Sequence, residues 1–99
     1  MQLLTTEIKK QLPKLNETDG QGAEAIAQVK FFTPWTSWTW YATEFDGEDV
    51  FYGYVQGLED EFGYFTLSEL ESVEGPFGLK IERDIMFEPT KLKEIVWQH

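Results

Sequence analysis

Apolar positions follow helical spacing near both ends of this chain and strand spacing through its middle. Near the start, Ile8 and Leu12 share a helical face and Thr5 can cap the first turn. Pro13 disfavours helix at the residue before it, so the pattern predicts a short helix over residues 5–12. Residues 16–22, Asn-Glu-Thr-Asp-Gly-Gln-Gly, read as a polar loop whose two glycines would also let backbone approach a ligand. Residues 27–33 predict a strand interrupted by Pro34, and residues 38–45 a second one rich in aromatic and β-branched side chains. Asp46-Gly47-Glu48-Asp49 is a hairpin turn signal, and residues 50–56 are the returning strand. A second acidic turn over residues 57–61 leads into a third short strand at residues 62–65.

The strongest local signal follows. Thr66-Leu67-Ser68-Glu69 is a capping box, in which the Thr66 hydroxyl accepts from the Glu69 amide and Glu69 reaches back to the Thr66 amide. Phe65 and Leu70 stand where a hydrophobic staple requires them, and Gly75-Pro76 ends the helix after Val73 or Glu74. Residues 79–87 contain an edge-strand pattern at 81–85. Pro89 or Thr90 then opens a last short helix with Leu92, Ile95 and Val96 on one face. The predicted fold is α+β: an antiparallel β-meander of three to five strands with two or three short helices, in a single domain spanning residues 1–99.

Strict alternation along residues 38–45 puts Thr39, Tyr41, Thr43 and Phe45 on one face and Trp38, Trp40, Ala42 and Glu44 on the other. Large rings thus fall on both faces, so either both are covered or part of an aromatic face is exposed. Trp35 and Trp38, which follow Pro34, are the rings expected at the surface.

Charge sharpens the picture. The formal net charge is −10, and residues 31–79 hold ten Asp or Glu with no Lys or Arg. The same stretch carries fourteen of the sixteen aromatic residues, while acids and bases balance in each flank. Such a surface attracts basic partners and repels nucleic acid and anionic lipid. There is no cysteine, which removes disulfides, thiolate metal sites and thiol nucleophiles. The opening residues are too few and too polar for a signal peptide, and no run is long enough to span a bilayer. A cytoplasmic protein with no membrane contact is expected.

Catalytic signatures are sparse. The one histidine is His99, and no nucleophile elbow, phosphate loop or dinucleotide fingerprint occurs. A carboxylate pair such as Glu44 with Glu82 remains chemically allowed. The two acidic turns lack the calcium-loop pattern, so no cofactor and no metal ligand is assigned. Aromatic hairpins can stack bases, but a phosphate-binding groove needs cations that residues 31–79 do not supply, so direct nucleic-acid binding is not expected. Glu82, Arg83 and Asp84 are candidates for a structural ion pair, with Arg83 also able to grip a carboxylate through two parallel hydrogen bonds.

Four segments carry a family resemblance: Val29-Lys30-Phe31-Phe32-Thr33-Pro34, the tryptophan block from Trp38 to Gly47, Gly63 to Leu70, and Gly78 to Asp84. In this order and spacing the chain resembles the bacterial domain of unknown function 2958. The resemblance implies a small bacterial or phage domain found on plasmids, conjugative elements and phages, with no active site to carry over. The leading expectation is a non-catalytic acidic interaction protein that binds, and by binding can inhibit, a basic nucleic-acid-binding or defence protein. Its partner-binding residues would be Glu44, Asp46, Glu48, Asp49, Glu59, Asp60, Glu61, Trp35 and Trp38. The alternative is a carboxylate-based, metal-dependent enzyme acting on a small substrate. Oligomeric state is not legible.

Overall fold

The computed structural model describes residues 2–96. These form helices α1 (Thr6–Gln11), α2 (Leu67–Ser72) and α3 (Leu92–Val96). Seven strands accompany them: β1 (Ile26–Ala27), β2 (Val29–Phe32), β3 (Thr39–Phe45), β4 (Val50–Gln56), β5 (Asp60–Thr66), β6 (Glu82–Arg83) and β7 (Thr90–Lys91). A five-stranded antiparallel sheet runs in the order β5-β4-β3-β2-β6, and β1 pairs with β7 in a separate two-stranded sheet. The fold is α+β, with a meander from β2 to β5 and β6 added beside β2. Among the described residues, no helix is long and apolar enough to cross a membrane. His99 lies outside the described residues.

One sheet face carries the main core. Phe51 stands at its centre, stacked on Phe45 at 4.5 Å and Phe65 at 5.2 Å, with Phe31 edge-on at 5.6 Å. Leu3, Leu4, Leu12, Leu70 and Ile81 close over these rings. α1 and α2 dock on this core and α3 on the opposite face through Leu92, since helices of five or six residues are unstable alone. Thr5 Oγ1 accepts from the Ile8 amide at 3.2 Å, so α1 starts where its cap predicts. The opposite face is covered over part of its area, where Tyr41 and Tyr54 pack with Ala25, Ala27 and Leu92.

Strict alternation fails at Thr43. The β3–β4 register passes from Ala42↔Gly53 to Glu44↔Tyr52, leaving Thr43 as an extra residue in a β-bulge. Its hydroxyl donates to the Tyr52 carbonyl at 3.1 Å. Beyond the bulge the faces exchange. Phe45 joins Ala42 in the main core, and Glu44 turns to the side of Tyr41. Gly53 sits opposite, where a Cβ would lie 1.9 Å from the Tyr41 carbonyl oxygen, closer than any side chain can come.

Other expectations shift as well. The second acidic turn is shorter than predicted, because Asp60 and Glu61 already belong to β5, paired with Gln56 and Val55. The residue 27–33 strand divides at Gln28, whose amide donates to the Ala42 carbonyl at 2.8 Å while the chain passes between sheets. Only Glu82 and Arg83 of the residue 81–85 pattern pair with β2. Trp35 is half-buried rather than exposed. It packs against the main core and fills the space over Gly75, where a Cβ would lie 2.4 Å from its ring.

Candidate functional site

Alternation along β4 and β5 places Tyr52, Tyr54, Phe62 and Tyr64 on the face opposite the main core. Tyr52 is directly across from Tyr64, and Tyr54 from Phe62. Their rings are in contact: Tyr52 meets Tyr64 at 5.0 Å, Tyr54 meets Phe62 at 5.3 Å, and Tyr52 lies nearly parallel to Phe62 at 6.2 Å. Tyr64 is 65% exposed and Phe62 41%. α3 covers the Tyr41–Tyr54 end, and the rest of this aromatic strip stays open. Burial pushes the Tyr52 hydroxyl above its usual range, and the charges of Tyr64, Glu44 and Asp19 push it further.

The polar loop of residues 14–22 folds against this strip. Asn16, Gly20 and Gly22 have φ of 74°, 81° and 52°, left-handed values that curl the loop inward. Its amides meet a carboxylate there. Asn16 N donates to Glu44 Oε1 and Thr18 N to Glu44 Oε2, both at 2.9 Å, and the Thr18 hydroxyl adds a third donor to Oε2. Glu44 is 3% exposed. It therefore anchors the loop and lies apart from the exposed acidic turns, because the bulge at Thr43 turned it toward this loop. Between loop and strip lies a pocket of about 290 Å³, lined by Asp19, Gly20, Gly22, Glu44, Tyr52 and Phe62 among others.

The first acidic turn proves largely structural. Asp46 Oδ1 accepts from the amides of Glu48, Asp49 and Val50 at 2.8, 2.8 and 3.0 Å. The Glu48 and Asp49 amides hold its carboxyl below the usual range. Asp49 reaches across to α2, accepting from Ser68 N and Ser68 Oγ at 2.8 Å each. It thus joins Thr66 Oγ1, which accepts from Glu69 N at 3.1 Å, in capping that helix. Glu69 returns to the Thr66 hydroxyl at 2.8 Å, not to its amide as the capping box predicts. Glu48 is the member of this turn that points freely outward.

Glu59, Asp60 and Glu61 are all exposed, and the pleat of β5 divides them. Glu61 and Glu59 line a shallow groove with Leu58, Val55 and Trp38. Asp60 lies on the other face, next to Tyr54. Trp38 is 36% exposed, tilted against Trp40 at 5.7 Å, and fills the space above Gly57. The two acidic turns occupy opposite ends of seven-residue β4, roughly 20 Å apart, so they do not form one patch.

Bases stay largely with the flanks. Lys30 pairs with Asp84 at 3.6 Å and lies 5.9 Å above the Tyr41 ring. Lys91 and Lys93 both reach Glu24, at 3.2 and 3.0 Å, and Lys80 meets Glu74 of the acidic stretch at 3.9 Å. Arg83 donates to the carbonyls of Gln2 and Leu3 at 2.7 and 2.9 Å, pinning the N-terminal segment over the core.

Among the described residues, no group of three His, Asp or Glu side chains is placed to hold a metal ion. Glu82 pairs with Phe32, which pairs with Thr39. That register alone separates Glu82 from Glu44 by roughly 15 Å along the strand direction, too far for shared acid–base work. The aromatic strip and its pocket escaped sequence reasoning, although the alternation of Tyr52, Tyr54, Phe62 and Tyr64 was a visible signal for the strip. No curated protein and no solved structure matches the chain. A family model described as a protein of unknown function (DUF2958) matches residues 3–96, and the chain belongs to that family.

Proposed function

We propose that this protein is a non-catalytic interaction module that binds a basic protein through the β5 edge. One observation carries the reading: at the open edge strand β5 and its turn, exposed Glu59 and Glu61 stand beside Trp38 on one face, and exposed Asp60 shares the other face with the exposed rings of Phe62 and Tyr64. Rings supply contact area at low entropic loss, and the acids supply steering and selectivity for cations. Glu48 adds charge at the far end of the same hairpin, while Asp46, Asp49 and Glu44 support the scaffold. In this reading the protein works in the cytoplasm of a bacterium. It is encoded by a plasmid, phage or conjugative element and inhibits a nucleic-acid-binding or defence protein by occupying its basic groove. The family resemblance supports the setting, and the absence of any Lys or Arg from residues 31–79 supports the sign of the partner.

Affinity capture from bacterial lysate tests the proposal, comparing wild type with the Glu59→Lys, Asp60→Lys, Glu61→Lys triple variant at about 20 and 300 mM NaCl. A strongly basic protein should be retained by wild type at low salt, released at high salt and missed by the variant. Retention unaffected by the triple reversal would overturn the reading.

A further inference from the structure

The pocket between the 14–22 loop and the aromatic strip has a composition that selects one kind of occupant. Glu44 is part of its lining, 3% exposed, with three donors from the loop already on its carboxylate. Among the described residues Oε1 accepts from Asn16 alone, which leaves it a second acceptor position. Asp19 stands in the lining, and no lining residue is a Lys, Arg or His. One wall is aromatic: Tyr52 and Phe62, 6.2 Å apart and inclined by 15°. Two carboxylates, Glu44 and Asp19, beside two aromatic rings and no cationic side chain together fit an organic cation.

We propose that this pocket takes the guanidinium of an arginine side chain presented by the basic partner, anchored on Glu44 and stacked against Tyr52 and Phe62. The inference rests on the partner reading above and names the residue type that the partner must offer. A guanidinium suits the site better than an ammonium. A single open acceptor on Glu44 gives one hydrogen bond, so the remaining attraction must come from the rings, on which the weakly hydrated, planar guanidinium stacks. The volume of about 290 Å³ accommodates one such side chain and not a folded element. Gly20 and Gly22 leave the rim low, each with nothing within 4 Å of the position a Cβ would occupy.

The test is a 1H–15N titration of the full chain with N-acetyl-arginine amide, beside the uncharged N-acetyl-citrulline amide and N-acetyl-lysine amide. Arginine amide should shift the amides of Thr18, Gly20, Gly22 and Thr43 saturably, with a Kd on the order of 1 mM. Citrulline amide should leave them unmoved, and lysine amide should bind more weakly. Glu44→Gln should abolish the response. Because that variant also loosens the loop, Phe62→Ala at a 41% exposed position is the independent check, with an expected loss of roughly threefold or more. Equal shifts from citrulline or lysine amide would overturn the proposal, as would shifts confined to residues 59–61 or an unchanged Phe62→Ala titration. If arginine amide fails here while lysate capture remains sensitive to charge reversal at Glu59, Asp60 and Glu61, the pocket falls and the partner reading stands. The converse pattern removes the partner reading and leaves an arginine site.

Discussion

Thr18 gives both its amide and its hydroxyl to one oxygen of Glu44, the amide at 2.9 Å. Twenty-six positions separate the two residues, and the contact fastens an irregular loop to the bulged centre of the sheet. Glu44→Gln would turn an amide NH2 toward a donor and leave at least one buried N–H or O–H without an acceptor. The expected loss is about 1–3 kcal/mol. Thr18→Val removes the hydroxyl alone and should cost about 1 kcal/mol. Urea unfolding measures both; equal stability of Glu44→Gln and wild type would show that the loop does not depend on this anchor.

Helix α2 has two separate caps, Thr66 from its own chain start and Asp49 from the β3–β4 turn. Thr66→Ala should cost about 1 kcal/mol, equivalent to a melting-temperature drop of roughly 4–8 °C in a domain of this size. Asp49→Ala should cost at least as much, since it releases both the amide and the hydroxyl of Ser68. Calorimetry of the two single variants and the double variant decides whether the caps act independently. Strict additivity is not expected, because Ser68 Oγ also contacts Thr66 Oγ1 at 3.3 Å.

Acid should unfold this protein earlier than its packing suggests. Asp46 is held below its ordinary value of 3.8 by the Glu48 and Asp49 amides, and Glu24 below 4.5 by hydrogen bonds to Lys93 and Lys91. A depressed folded-state pKa contributes stability above the unfolded value and loses it as pH falls through the folded one. Melting temperature should therefore decline as pH falls below the ordinary values of 4.5 and 3.8. Asp46→Asn keeps an acceptor for the turn amides without the titrating charge, so its decline should be shallower; a curve parallel to wild type would remove Asp46 from the account.

Salt separates repulsion from attraction. Both acidic ends of the β-meander repel internally, but they lie roughly 20 Å apart, beyond the ~8 Å screening length at physiological ionic strength. The pairs Lys30–Asp84, Lys91–Glu24 and Lys93–Glu24 lie in the flanks and are weakened by the same salt. Raising NaCl from about 20 to 300 mM should lift the melting temperature by less than the 4–8 °C that ~1 kcal/mol produces. A flat or falling curve would mean that the flank pairs outweigh the acidic repulsion.

Locally encoded features could be read from the chain. Thr5 and Thr66 cap their helices because capping needs residues within three positions of each other. The order of strands followed from turn residues such as Asp46-Gly47, with Gly47 at φ 93°. What alternation misplaced was set by distant contacts. Glu44 looked like a surface acid because nothing near it in sequence announces the Asn16 and Thr18 amides. Trp35 looked exposed because its partner, Gly75, lies forty positions away. Both acidic turns were candidates for partner binding, and sequence proximity hides that successive turns of a meander face opposite ends of the sheet.

The bulge at Thr43 marks one point where this protein tolerates a shorter chain. Substitution there disturbs a side chain that is 1% exposed, whereas deletion restores unbroken alternation along β3. Glu44 would still face the residue 14–22 loop and Phe45 the ring stack of Phe51, so the oily and polar compartments would keep their occupants. Loss of the bulge with Thr43 retained would instead exchange them in one step, turning Glu44 into the rings and Phe45 out toward the loop.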